Sequence, residues 1–291
     1  MRVALLTGLL VLAPVLAGCA NGPHPDVMAT FYPLVFFSEE IGGDGLSVGS
    51  VVKPGTEPHD YEPTTKDLDK IVHAKALVIQ GAGFEGWLET AQDQAPDTRL
   101  IVASNGIGLH ENPDEDEAEE LPQDPHTWLD PVLAQDMAHN IEAGLSASFP
   151  DRSFAIHANT VELVGRLQAL DADFAEGLAH CQLHVIITTH SAFAYMAERY
   201  GFEQVGLSGL DPNEEPSPAA IQDAIDLARE HNVTVIFFEE LVSPRVAETV
   251  AREVGAETRV LSPIESAQDG KDYFGIMHDN LDALRAAMNC T

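Results

Sequence analysis

Twelve histidines are spread along the 291-residue chain, and three of them stand where an imidazole would be held still. His59 lies in PGTEPHDYEPT (54–64), among three prolines and three acidic residues. Proline fixes φ and removes an amide donor, so this is a loop of restricted freedom. His126 lies in DPHTWLDP, again between prolines and next to Trp128. His190 closes the run VIITTH just ahead of a helical pattern. All three fall at or near loops, two of them beyond the carboxyl ends of strands, where α/β folds place ligands. His73 and His231 sit within or at the ends of amphipathic helices, His24 near the amino terminus and His110 beside an acidic stretch, so these four read as solvent-facing. A neutral imidazole is a borderline ligand that suits zinc. Three of them leave one tetrahedral position. Water or substrate there makes a catalytic site; a carboxylate makes a closed site that holds the metal. No HExxH or other close ligand pair is present, and spacing alone does not join residues so far apart.

The elements that must position these side chains alternate. Strand patterns cover 27–31, 46–52, 76–80 and 100–104 in the first half, and 184–189, 203–209, 233–239 and 258–263 in the second. Helical patterns such as TTKDLDKIVHA, FEGWLETAQ, SAFAYMAERYG, SPAAIQDAIDLAREHN and SPRVAETVAREVG lie between them. Nearly all-apolar strands alternating with helices indicate an α/β fold of parallel sheets covered on both faces. Ser217-Pro218 and Ser243-Pro244 each have the form of an N-cap followed by proline at the first helical position. Between the halves, DRSFAIHANTVELVGRLQALDADFAEGLAH places Phe154, Val161, Val164, Leu167, Phe174 and Leu178 at a helical period. A single helix of this extent is about 40 Å long, enough to join two small lobes. A break into two helices near Gly165 is the alternative.

The ends and the charge set the compartment. Arg2 precedes the apolar run Val3–Ala17, and LAGC at Leu16–Cys19 resembles a bacterial lipobox. That resemblance implies a signal peptide over 1–18, cleavage before Cys19, acylation of its thiol and a lipid-anchored tether over 19–25. An ordinary signal peptide with a chance cysteine is the other reading. Net charge is −32, from 47 acidic and 15 basic side chains, which argues against nucleic acid and against electrostatic attachment to anionic lipid. In an oxidising compartment the remaining pair, Cys181 and Cys290, is expected to form a disulfide, with two free thiols as the alternative. HENPDEDEAEELPQD (110–124) carries many carboxylates and no Lys or Arg. It reads as a solvated loop, either gathering cations near a site or simply solubilising.

The motifs PGTEPHDYEPT, DPHTWLDP, TTHSAFAYMAERYGF, EEPSPAAIQ, VIFFEELVSPRVAETVAREVGA and DYFGIMHDNLDAL, in this order, resemble the metal-binding lipoproteins that serve ABC importers of zinc or manganese. The resemblance covers nearly all of the chain after its leader. It implies an amino-terminal α/β lobe over 26–148, a linking helix over 149–180, a second α/β lobe over 181–291, and one metal in the cleft between lobes. His59, His126 and His190 match the family's three histidine ligands. Manganese-binding relatives typically carry Glu at the third position, so His190 favours Zn(II), with manganese or iron as the alternative. Many relatives have Asp after the last strand, where this chain has Ser262; the next carboxylate, Glu265, is the expected fourth ligand, with water as the alternative. An open site of that kind, with Glu265 as base, would suit a zinc hydrolase. The family's His-rich loop is replaced here by the acidic loop 110–124. The resemblance further implies a monomeric, non-enzymatic binding protein that delivers zinc to a membrane permease from the outer face of the cell membrane or the periplasm. Some relatives are described as adhesins.

Overall fold

The computed structural model describes residues 24–112, 118 and 121–291. The leader, Cys19 and residues 113–117, 119 and 120 of the acidic stretch lie outside the described residues. In the first half β1 (Val27–Ala29), β2 (Val48–Ser50), β3 (Ala76–Ile79) and β4 (Arg99–Val102) form a parallel sheet in the order β2-β1-β3-β4. In the second half β5 (Val185–Thr188), β6 (Glu203–Gly206), β7 (Val235–Phe238) and β8 (Glu257–Val260) repeat that order as β6-β5-β7-β8, again parallel. Each strand falls within its expected run or a residue beyond it and is shorter. The central strands β1, β3 and β5 are buried at every position, as strands covered on both faces must be.

Helices pack on these sheets: α1 (Tyr32–Gly42), α2 (Thr65–His73), α3 (Leu88–Gln94) and α4 (Pro131–Ser148) in the first lobe. The second lobe has α6 (Ala194–Tyr200), α7 (Pro218–His231), α8 (Arg245–Val254) and α9 (Tyr273–Ala287). Thr64 and Asp67 form a reciprocal capping box at the start of α2, directly after the His59 loop. Ser217 caps α7 as expected, its hydroxyl accepting from the Ala220 amide at 3.1 Å. Ser243 does not cap α8: that helix begins at Arg245, and the Ser243 hydroxyl accepts from Arg245 Nε instead.

The lobes are joined by α5 (Ser153–Gly177), 25 residues and about 38 Å long. A 3-10 turn at Pro150–Arg152 precedes it, so the regular helix is shorter at both ends than the expected 149–180. It runs unbroken through Gly165, where an added Cβ would meet only open space. Its buried stripe is Ile156, Thr160, Leu163, Leu167, Leu170 and Phe174, alternating steps of four and three. Phe154 and Val161, expected in that stripe, are exposed, because they fall on the opposite face. The stripe packs against α1 and α4 on one side and α9 on the other. No helix among the described residues is long and apolar enough to cross a membrane.

Further bonds hold the lobes together. The buried Trp128 of the first lobe donates from Nε1 to the Pro263 carbonyl at 2.7 Å, and Tyr273 donates its hydroxyl to the Trp128 carbonyl at 2.6 Å. Arg199 pairs with Asp130, and Arg166 reaches both Glu40 and Asp272. Cys181 and Cys290, 109 residues apart, are disulfide-bonded and fasten the end of the chain beside the start of the second lobe. Closing so long a loop restricts the unfolded chain by roughly 4–5 kcal/mol in the chain-entropy model. Chemical denaturation should therefore find Cys290→Ser less stable by about 2–5 kcal/mol, with metal stoichiometry unchanged because the bond lies away from the cleft.

Candidate metal centre

Two short sequences place the first two imidazoles by the same device. In Glu57-Pro58-His59 the Glu57 carboxylate accepts from the His59 backbone amide at 2.9 Å and from the ring Nδ1 at 2.6 Å. In Asp124-Pro125-His126 the Asp124 carboxylate accepts from the His126 amide at 2.9 Å and from its Nδ1 at 2.8 Å. An acidic residue two positions ahead thus grips backbone and ring together, and the intervening proline stiffens the grip. His190 uses a distant partner. It follows β5, and Glu239, the first residue after the neighbouring β7, brings Oε2 to 2.7 Å from Nδ1, a close contact whose angle falls short of a hydrogen bond. Thr189 donates to the other oxygen of Glu239. A carboxylate can only accept, so the His59 and His126 rings each carry a proton on Nδ1, which leaves Nε2 as the atom turned toward the centre of the cleft.

Glu265 comes from the loop after β8. Ile264 just before it has φ of 61°, a conformation that a β-branched residue avoids. The turn is held from both sides. The Ser262 hydroxyl accepts from the Ile264 amide at 3.2 Å, and Trp128 binds the Pro263 carbonyl. Ser262 itself is fixed by paired bonds to Asn280. The position where Asp was absent from the sequence is thus the support of the turn that aims Glu265.

The structure brings all four expected residues together. One ligand atom from each of His59, His126, His190 and Glu265 lies within 4.8 Å of every other. His126 Nε2 and His190 Nε2 are 3.3 Å apart, and Glu265 Oε1 is 3.7 Å from His126 Nε2 and 3.8 Å from His59 Nδ1. Bonds of 2.0–2.1 Å in a tetrahedron put neighbouring nitrogens about 3.3–3.4 Å apart, so the His126–His190 separation is that of two ligands on one zinc. His59 Nε2 and Glu265 Oε1 are buried without a hydrogen-bond partner. Burying such groups unpaired is costly, and a cation between them removes the cost. Phe84 packs edge-on to His59, and Trp128 lies beside His126, so aromatic rings back two of the imidazoles. At the rim Asn213 of the second lobe donates to Glu57 and Asp60 of the first, at 3.0 and 2.9 Å.

Glu57, Asp124 and Glu239 are the site residues that the sequence reading missed. The signal for two of them is the repeated acidic-Pro-His tripeptide. Asp124 was expected at the solvated end of the acidic loop, yet it is buried. The base of that loop closes as a hairpin, with the Asp124 amide bonded to the His110 carbonyl and Asn112 to Pro122, which turns Asp124 inward. His110 is also less free than expected: it stacks on Tyr195 and pairs with Glu198 of the second lobe. Glu239 left no mark beyond its place at a strand end.

Electrostatics follow from these contacts. Burial alone would lower the His126 pKa, but the Asp124 hydrogen bond and the Glu265 carboxylate outweigh it and push it up to about 9. His59 is also raised, against burial, by Glu265 and Glu57. Burial works to raise Glu265, but the three histidines hold it below the usual range; Glu57 is pulled down to about 2 by His59, again against burial. The folded value of His126 lies above the ordinary 6.5. Its protonated form therefore stabilises the metal-free fold fully below about pH 6.5, and that contribution is lost as pH rises through about 9. NMR titration of metal-free protein should place His126 near 9 and clearly lower in Asp124→Asn; a wild-type value at or below the ordinary one would contradict the pairing.

Two parallel-sheet lobes on one long helix, with three imidazoles and a carboxylate converging in the cleft, define the two-lobed solute-binding class. The chain belongs to the zinc-uptake complex component A periplasmic family, whose model matches residues 27–287. It is 36% identical to the high-affinity zinc uptake system protein ZnuA of Bacillus subtilis over 310 residues, 97% of each chain. It is 35% identical over 289 residues to the zinc-binding lipoprotein AdcA of Streptococcus pneumoniae, and the match spans 93% of this chain but 58% of AdcA. The crystal structure of Zn(II)-bound AdcA superposes with a TM-score of 0.79 at 33% identity, covering 92% of this chain and 58% of that one.

Proposed function

We propose that this protein captures Zn(II) outside the cytoplasmic membrane and delivers it to an ABC-type importer, with His59, His126, His190 and Glu265 as ligands. The observation that carries the reading is the buried convergence of three carboxylate-backed imidazoles and one carboxylate. Three nitrogens and one oxygen suit zinc better than manganese, which prefers more oxygen ligands. The names of the relatives support zinc and a lipoprotein. A lipid at Cys19 would keep a monomeric protein beside its permease, with the lobes divided at about 148 and 181. The family is one of metal-binding solute-binding proteins, and the site is read as a holder of cargo rather than a catalyst.

The residues divide the work. Glu57, Asp124 and Glu239 fix the imidazole tautomers and, with Glu265, more than neutralise the divalent charge. Zinc replaces the protons held on the cluster, His126 first among them. Capture therefore releases protons, and apparent affinity falls about tenfold per pH unit for each proton displaced. With His126 at about 9, that dependence begins on the alkaline side of neutrality and not only near 6.5 as its unperturbed value implied. The bonds from Trp128 and Tyr273 across the lobes favour local loop movement over a wide swing.

Metal analysis of protein purified without added metal tests the site. Wild type should carry one tightly held zinc; His59→Ala and His190→Ala should lose it, and Glu265→Ala should bind it more weakly by at least tenfold. Equal zinc in all four would sink the assignment. Competition titration in which manganese outbinds zinc would move the reading to a manganese carrier. Release of Cys19→Ala protein into the medium, with wild type retained on membranes, tests the anchor.

A further inference from the structure

Away from the cleft, one other set of metal-ligating side chains converges. His24, Asp69 and His73 each place one ligand atom within 4.8 Å of the others. Asp69 and His73 are one turn apart on α2, so the helix sets their spacing. His73 Nδ1 lies 2.6 Å from the Asp69 carbonyl oxygen. A carbonyl only accepts, so the proton sits on Nδ1 and Nε2 keeps its lone pair, the same carbonyl-backed arrangement that prepares metal-binding imidazoles elsewhere. His24, just ahead of β1, stacks its ring on His73 with centroids 4.2 Å apart and planes 17° from parallel, which brings the two side chains together; holding one ion requires a ring to turn out of the stack so that both in-plane lone pairs meet it. His73 is the last residue of α2, where the helix dipole favours a cation. The nearby lysines are engaged elsewhere: Lys70 turns to Asp67, and Lys75 lies over the Phe149 ring.

We propose that His24, Asp69 and His73 form a second binding site for a zinc-type divalent ion. Two imidazoles and a carboxylate supply three ligands, and water completes the shell, because the Asp69 and His73 side chains are about half exposed. Exposure makes this site weaker than the buried one. Its structural effect is specific. His24 belongs to the segment between Cys19 and β1, and α2 is the helix entered directly from the His59 loop. An ion here ties the amino-terminal segment to the first lobe. The proposal does not depend on the cleft binding zinc.

The test is a zinc titration of the full chain against a chelating indicator, with histidine ring resonances followed by NMR. Wild type should show two binding events, the second at least tenfold weaker, and the second should move the His24 and His73 ring signals together. His73→Ala and His24→Ala should each abolish the weaker event and leave the tight one, with thermal melts confirming the fold. His59→Ala should do the reverse. A single event in wild type would overturn the proposal, as would a weaker event that survives in both His24→Ala and His73→Ala, the result expected if the acidic stretch 111–120 held the ion.

Discussion

A carboxylate held against Nδ1 of an imidazole is the interaction on which the cleft depends. It fixes the tautomer, stops the ring from turning and raises its basicity. His59 and His126 obtain it from the residue two positions earlier, so a tripeptide carries both the imidazole and its support. His190 obtains it from Glu239, which only the pairing of β5 with β7 brings near. The convergence of three such rings on Glu265 leaves buried polar atoms without protein partners. A divalent cation placed between His59 Nε2 and Glu265 Oε1 would remove the cost for both.

The two sheets serve this arrangement through their topology. In the order β2-β1-β3-β4 the switch point lies between β1 and β3, and Gln80, just after β3, donates to the Pro125 carbonyl and the Thr127 hydroxyl. The loop bearing His126 is thereby docked on the first sheet's switch point. In the second sheet the equivalent point lies between β5 and β7, the strands that end at His190 and Glu239. Parallel strands deliver their carboxyl ends to one edge, and two lobes facing each other across that edge make a site from residues far apart in sequence. The helix α5 sets the separation, and Trp128, bonded to the second lobe through Pro263, keeps the cleft narrow.

Charge and stiffness work together. Asp124 and Glu265 raise the His126 pKa against burial, so the metal-free cleft favours a positive charge at that ring. The strained Ile264 shows that the Glu265 turn is maintained by its surroundings, chiefly Ser262, Asn280 and Trp128.

Much of this was legible in the sequence by itself. Strand and helix alternation is a local periodic signal, so the α/β class, the strand positions and the long linking helix followed from it. The four cleft residues were readable too, but through the order of several motifs that resemble one family; their spacing alone did not join them. Only the tertiary structure showed that Asp124 is buried, that Glu239 reaches His190, that Ser262 supports the Glu265 turn, and that Phe154 and Val161 face outward. These depend on which strand lies beside which and on how a loop closes at its base. Such contacts link residues across tens or hundreds of positions, and no local pattern of hydrophobicity or charge encodes them. The pairing of His24 with His73 is of the same kind: two ordinary surface histidines in sequence, brought into contact because β1 lies beside β3, and α2 leads into β3.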